Sequence, residues 1–215
     1  MAQHHAPDEL LLAYAAGELS DSEAMLVACH LTLCPESRAF VALAEAMGGA
    51  LLSEQSPNSV DADALDRVMG RLDSMDMGDS RSFYISGNTV DQAIHDPHGI
   101  VPSPLYRLTG PLDRLSWFDG RTPGVKMAVV PSTIDDRFTL LAKLQPGIEL
   151  PSHSHPGFEM TLVLAGGYRD DTDKTFVRGD MDLRDSDRSH QQWIDNDEPC
   201  LWLVVAQGPP IFNKG

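Results

Sequence analysis

Four residues between positions 153 and 190 have the types and spacing to hold a metal ion: His153, His155, Glu159 and His190. His153 and His155 are two apart, so on a strand both side chains leave the same face. Glu159 keeps that parity, although Pro156-Gly157 bends the chain ahead of it. Three imidazoles and one carboxylate suit a divalent transition metal and leave room at the ion for water or a small ligand. The competing reading is two surface histidines and a core-edge glutamate that bind nothing.

The elements that must position these residues are strands. Met160 to Leu164 is an apolar run closed by Gly166-Gly167, strand-like and apolar on both faces. Gly179 opens a second strand with Met181 and Leu183 on one face, Asp185-Ser186-Asp187 makes a turn, and His190 starts a strand that returns beside the first. The spacing Gly147-x5-His153-x-His155-x3-Glu159-x6-Gly166 resembles the first motif of the cupin family at every fixed position. The second motif is met at Gly179 and His190, with Asp185-Ser186-Asp187 in place of the family's Pro-x-Gly turn. The resemblance implies a small β-barrel with zinc or another divalent metal on His153, His155, Glu159 and His190. It selects no reaction, because one fold hosts enzymes, sensors and storage proteins alike.

Length and charge set further bounds. A chain of 215 residues holds one large domain or two small ones, and its net charge of −16 argues against direct nucleic-acid binding. Residues 1–77 carry 13 Asp and Glu against Arg38, Arg67 and Arg71, a net of −10, which suits a basic protein partner as well as plain solubility. Three cysteines, Cys29, Cys34 and Cys200, give no disulfide framework and fit a reducing compartment. Neither a signal-peptide pattern nor a membrane-spanning apolar run is present, so the expected location is the cytoplasm.

Along the chain, Asp8 to Ala16 predicts a first helix stopped by Gly17, and Ser20 to Glu23 is a capping box opening a second that runs to about Leu33. Pro35 starts a third helix, loosened at Gly48-Gly49. After a polar linker from Ser53 to Asp61, residues 63 to 75 form an amphipathic fourth helix with Leu65, Val68, Met69 and Leu72 on one stripe. Such a helix is marginal alone, so it must pack on its own domain or on a partner. Residues 76 to 104 are loop-like, and His95 and His98 within them are taken as solvated. From Leu105 on, strands are expected at Leu115–Phe118, Val125–Val130, Phe138–Leu144 and Leu201–Ala206. The fold class is multidomain α + β: a helical domain at 1–77, a linker at 78–104 and a barrel at 105–215.

A second constellation lies in the helical part. His30 and Cys34 are four apart and Ser37 follows three later, so the three share a helical face if the turn at Pro35 is modest; His4 and His5 precede the first helix and can fold over it. Together with DELLLAYAAGELS and VACHLTLCPE, the pattern resembles zinc-binding anti-sigma factors. Followed by a cupin, it is similar to the ChrR-type transcriptional regulators over nearly the whole chain. That resemblance implies N-terminal zinc ligands at His5, His30 and Cys34, a group IV (ECF) sigma factor as partner, and a cupin that governs release in response to singlet oxygen or related oxidants. Ser37 stands where the family has a cysteine, and a hydroxyl is a poor zinc ligand beside a thiolate. Three outcomes stay open: a weakened zinc site, a site repaired by His4, or a domain folded without metal.

Two functions from different classes follow. The first is a regulator that inhibits by occlusion and needs no chemistry of its own, so the chain is more readily a non-enzyme. The second is a cupin metalloenzyme, a dioxygenase, hydrolase or isomerase, with the helices as an accessory domain.

Overall fold

A computed structural model describes residues 2–74, 96–131, 137–186, 188–195 and 197–212. Its first half is helical. Helix α1 (Asp8–Ala16) ends where Gly17 turns left-handed at φ 71°. Helix α2 (Asp21–Leu33) starts in the full capping box, with Ser20 accepting from the Glu23 amide and the Glu23 carboxylate accepting from the Ser20 amide. Cys34 separates it from α3 (Pro35–Ser53), which continues straight through Gly48-Gly49. Each glycine costs about 1 kcal/mol in a helix and nothing packs against either one, yet α3 runs on to Ser53, where the polar linker was expected to begin. Helix α4 (Ala64–Ser74) buries none of its residues.

Beyond the gap in the described residues, which takes in His95, a fifth helix intervenes before the barrel. Helix α5 (Ser103–Thr109) carries Pro104 in its first turn, where a missing amide costs nothing, and Leu105 is fully buried under α2. Strand structure was expected from Leu105 onward. Instead a single 3-10 turn (Leu112–Arg114) follows, and the strand foreseen at Leu115–Phe118 is reduced to β1 (Phe118–Asp119).

Ten further strands follow: β2 (Val125–Val129), β3 (Phe138–Leu144), β4 (Glu149–Ser154), β5 (Glu159–Ala165), β6 (Gly167–Asp170), β7 (Thr175–Val177), β8 (Met181–Arg184), β9 (His190–Ile194), β10 (Cys200–Ala206) and β11 (Ile211–Phe212). They form a six-stranded sheet in the order β1-β2-β3-β10-β5-β8 and a five-stranded sheet in the order β11-β4-β9-β6-β7, all pairs antiparallel. On β8 the outcome differs from the sequence reading. Met181 is buried but Leu183 is exposed, and the buried position between them is Asp182, whose carboxylate accepts a 2.8 Å hydrogen bond from Tyr168 and pairs with Arg184.

The double-sided apolar character of β3, β5 and β10 has a simple origin. Leu140, Ala142, Val163, Trp202 and Val204 fill the space between the two sheets. Their alternates Leu141, Leu162, Leu164, Leu203 and Val205 point the other way, into one core with Leu26 and Val27 of α2 and Leu105 of α5. Helices and barrel therefore share a continuous hydrophobic core.

Candidate metal centre

The barrel cluster is assembled across the two sheets. His153 lies near the end of β4 and is the direct register partner of His190, the first residue of β9. His155 follows β4, and Glu159 opens β5 in the opposite sheet. All four side chains are buried, and one ligand atom from each lies within 4.8 Å of the others. Glu159, whose direction the bend at Pro156-Gly157 made hardest to read, faces the same centre as the three histidines. Glu159 Oε2 is 2.9 Å from His155 Nε2 and 3.3 Å from His190 Nε2.

Orientation and charge both fit a cation. His153 Nδ1 is 2.9 Å from the Pro151 carbonyl, which can only accept, so its proton sits there and Nε2 presents a lone pair. Close as they are, Glu159 Oε2 and the ring nitrogens of His155 and His190 are not aligned as hydrogen bonds. Buried polar atoms left this way are costly, and a divalent ion between them would satisfy them together. Burial pushes the Glu159 carboxyl up, but the facing imidazoles outweigh it and hold it well below the usual carboxylate range. Burial likewise pushes His155 down, and Glu159 overrides it upward, whereas burial dominates at His153 and lowers it. The donor set is one that zinc, iron, manganese and similar ions accept.

A cavity of about 290 Å³ opens beside the cluster, lined mostly by apolar residues, among them inward ones of β2, β3 and β10. Apart from the ligands, its described polar lining consists of Arg121, Thr122 and the Trp202 indole, none of them a general base at neutral pH. Sequence spacing gave no sign of this cavity, because its walls come from strands far apart in the chain.

The N-terminal constellation comes together only in part. His30 and Ser37 are buried with Cys34 where α2 meets α3: His30 Nε2 is 2.9 Å from Ser37 Oγ, which is 3.2 Å from Cys34 Sγ. His5 and Cys34 form a possible ligand group with Glu36, all ligand atoms within 4.8 Å; His30 lies outside that group, its Nε2 accepting from the Ala6 amide at 3.4 Å. Glu36 went unnoticed in the sequence, although its place between Cys34 and Ser37 in the first turn of α3 was the available signal. His4 does not join this group: its Nε2 is 3.1 Å from the Thr175 carbonyl and its ring packs on Phe176, 4.5 Å between centroids.

Known proteins match this arrangement. Residues 107–209 fit the ChrR cupin-like domain. The anti-sigma-E factor ChrR of Cereibacter sphaeroides is 34% identical over 215 residues, which cover 99% of this chain and 93% of that protein. A chain in the crystal structure of Rhodobacter sphaeroides SigE in complex with the anti-sigma ChrR aligns with a TM-score of 0.77 at 32% identity, covering 96% of this chain and 99% of that one. Identity at this level along the whole length, helices and barrel together, places the chain in the ChrR family of anti-sigma factors.

Proposed function

We propose that this protein is a cytoplasmic anti-sigma factor whose helical part binds an ECF sigma factor and whose metal-bearing barrel governs its release under oxidants such as singlet oxygen. The observation that carries the reading is an uncovered apolar surface. On α4, Leu65, Val68, Met69 and Leu72 are 50–70% exposed, and Leu43, Met47, Leu51 and Leu52 along α3 are 61–74% exposed. Patches of this kind mark protein interfaces. The surrounding acidic residues suit a partner whose polymerase-facing surface is basic. No single helix among the described residues is long and apolar enough to cross a membrane.

In the barrel, His153, His155, Glu159 and His190 hold the metal, with zinc an ion that suits this mixed nitrogen and oxygen donor set. Bound there, the ion would supply a Lewis acid beside the cavity. The residues of this chain do the rest: His153 is oriented by Pro151, and the apolar walls limit water access. In the bundle, His5, His30 and Cys34 are the metal ligands, with Glu36 rather than His4 beside them in place of the family's fourth ligand.

The cavity is the one observation that favours a metalloenzyme instead. Its described lining lacks a general base, which weighs against hydrolysis or isomerisation. Mixing the purified chain with an ECF sigma factor from the same cell tests the proposal: a stable 1:1 complex that blocks sigma-dependent transcription supports it, and two proteins that elute separately with transcription unaffected would refute it.

A further inference from the structure

We infer that Gly179 and Asp180, in the turn between β7 and β8, are positioning residues for the metal ligands of the helical bundle, so that the barrel completes a site lying outside it. The inference rests on the reading that His5, His30 and Cys34 hold a metal.

His30 is set by Gly179. Its Nδ1 lies 2.9 Å from the Gly179 carbonyl, which only accepts, so the ring carries its proton there. The Nε2 lone pair is thereby turned toward Ser37, 2.9 Å away, where the Ala6 amide also reaches it at 3.4 Å. In metal sites the partner of the distal nitrogen fixes tautomer and ring plane, and here that partner is 149 residues away in the chain. The carbonyl is itself held firmly. Gly179 is at φ 93°, its amide donates a 2.8 Å bond to the Val163 carbonyl on β5, and a Cβ at this position would touch Leu33 and Ala2.

Asp180 sets the other histidine. Its carboxylate is fully buried; Oδ1 accepts from the amides of Gln3 and His4, and Oδ2 accepts 2.9 Å from the Val177 amide. The Met181 amide then donates 2.9 Å to the His4 carbonyl. Residues 3 and 4 are thus strapped to the barrel, and His5 follows directly from the strap. A terminal segment is ordinarily the least ordered part of a chain, so without this clamp the approach of His5 would be costly in entropy. The turn also leads into β8, which is paired with β5 through Glu159↔Arg184, so the clamp is built on the strand pair that starts at a barrel ligand.

Cobalt binding to the full-length protein tests the inference. A thiolate-to-cobalt absorption band reports the bundle site alone, because the barrel cluster contains no sulfur and only Cys34 of the three cysteines lies in a ligand group. The wild type is expected to show the band. Asp180→Asn should weaken cobalt binding at the thiolate site by roughly 10–100-fold, the usual loss for an outer-shell partner, while cobalt at the sulfur-free barrel site is held as before. Gln3→Pro, at an exposed position, removes one amide donor without altering the buried carboxylate and should weaken the thiolate site in the same direction. Wild-type cobalt affinity at the thiolate in both variants would overturn the inference, and so would parallel weakening at both sites, the mark of general destabilisation. A wild type with no thiolate band would instead overturn the underlying metal reading, and the positioning role with it.

Discussion

His153 and His190 face each other as register partners on β4 and β9, their ring centroids 4.3 Å apart, and this cross-strand pair is the floor on which the barrel's metal centre is built. Glu159 reaches the pair from the opposite sheet, so a bound ion would tie the two sheets together at one end of the barrel.

Glu159→Gln keeps the shape and removes the charge that the imidazoles hold ionised. Metal retained by the barrel after dialysis, measured by elemental analysis, should fall by more than about a hundredfold, beyond what loss of an outer-shell partner typically costs. Undiminished retention would count against Glu159 as a ligand.

The shared core predicts one cooperative unit. Leu203 is fully buried on the face of β10 that meets α2, so Leu203→Ala should cost about 2–5 kcal/mol of stability. Circular dichroism and Trp fluorescence should report a single coincident transition in both proteins. A bundle that melts apart from the barrel in the wild type would contradict the shared core.

Stability after metal removal should depend on pH through His30. Burial, with nearby His5 acting in the same sense, lowers its pKa below the ordinary value of 6.5, while the Gly179 hydrogen bond and Asp180 oppose. The unfolded chain therefore takes up a proton that the folded chain refuses, and stability falls as pH drops through about 6.5. His30→Gln should lose less stability than wild type between about pH 7.5 and 5.5 in urea titrations. Equal losses would remove His30 from the account.

The cysteines should differ sharply in reactivity. Burial first of all pushes the thiols of Cys29 and Cys200 up to about 12, which leaves them protonated and inert at neutral pH. Alkylation followed by mass spectrometry should modify neither in the native protein, and Cys34 should become labelled only once a chelator opens its cluster. For the same reason Cys200→Ser should leave any oxidant response intact.

Some of this was legible in the sequence because it is local. His153, His155 and Glu159 follow strand parity within seven residues, and the helix starts at Ser20 and Pro35 are set by chemistry of neighbouring side chains. What the sequence hid is long-range. The bond between His30 and Gly179, the burial of Asp182 in place of Leu183, and the cavity wall all depend on residues that meet only after the sheets close. Helix α5 was hidden for a different reason: Pro102 just ahead of it, Pro104 within it and the flanking glycines resemble a loop, and seven residues are too few to display a helical period. The Asp185-Ser186-Asp187 turn can be followed only in part, since Asp187 lies outside the described residues.

The exposed stripe of α4 is the feature on which the functional account depends most. Its residues are half exposed or more, so Leu65→Asp with Leu72→Asp should change the stability of the free protein by no more than about 0.5 kcal/mol per site. The decisive measurement is calorimetric titration of an ECF sigma factor from the same cell with the wild type and with this double variant. The account predicts tight binding by the wild type and at least a roughly hundredfold loss in the variant, about the cost of removing two interface anchors. Equal affinity in the two proteins, or no binding by a folded, metal-loaded wild type, would contradict it.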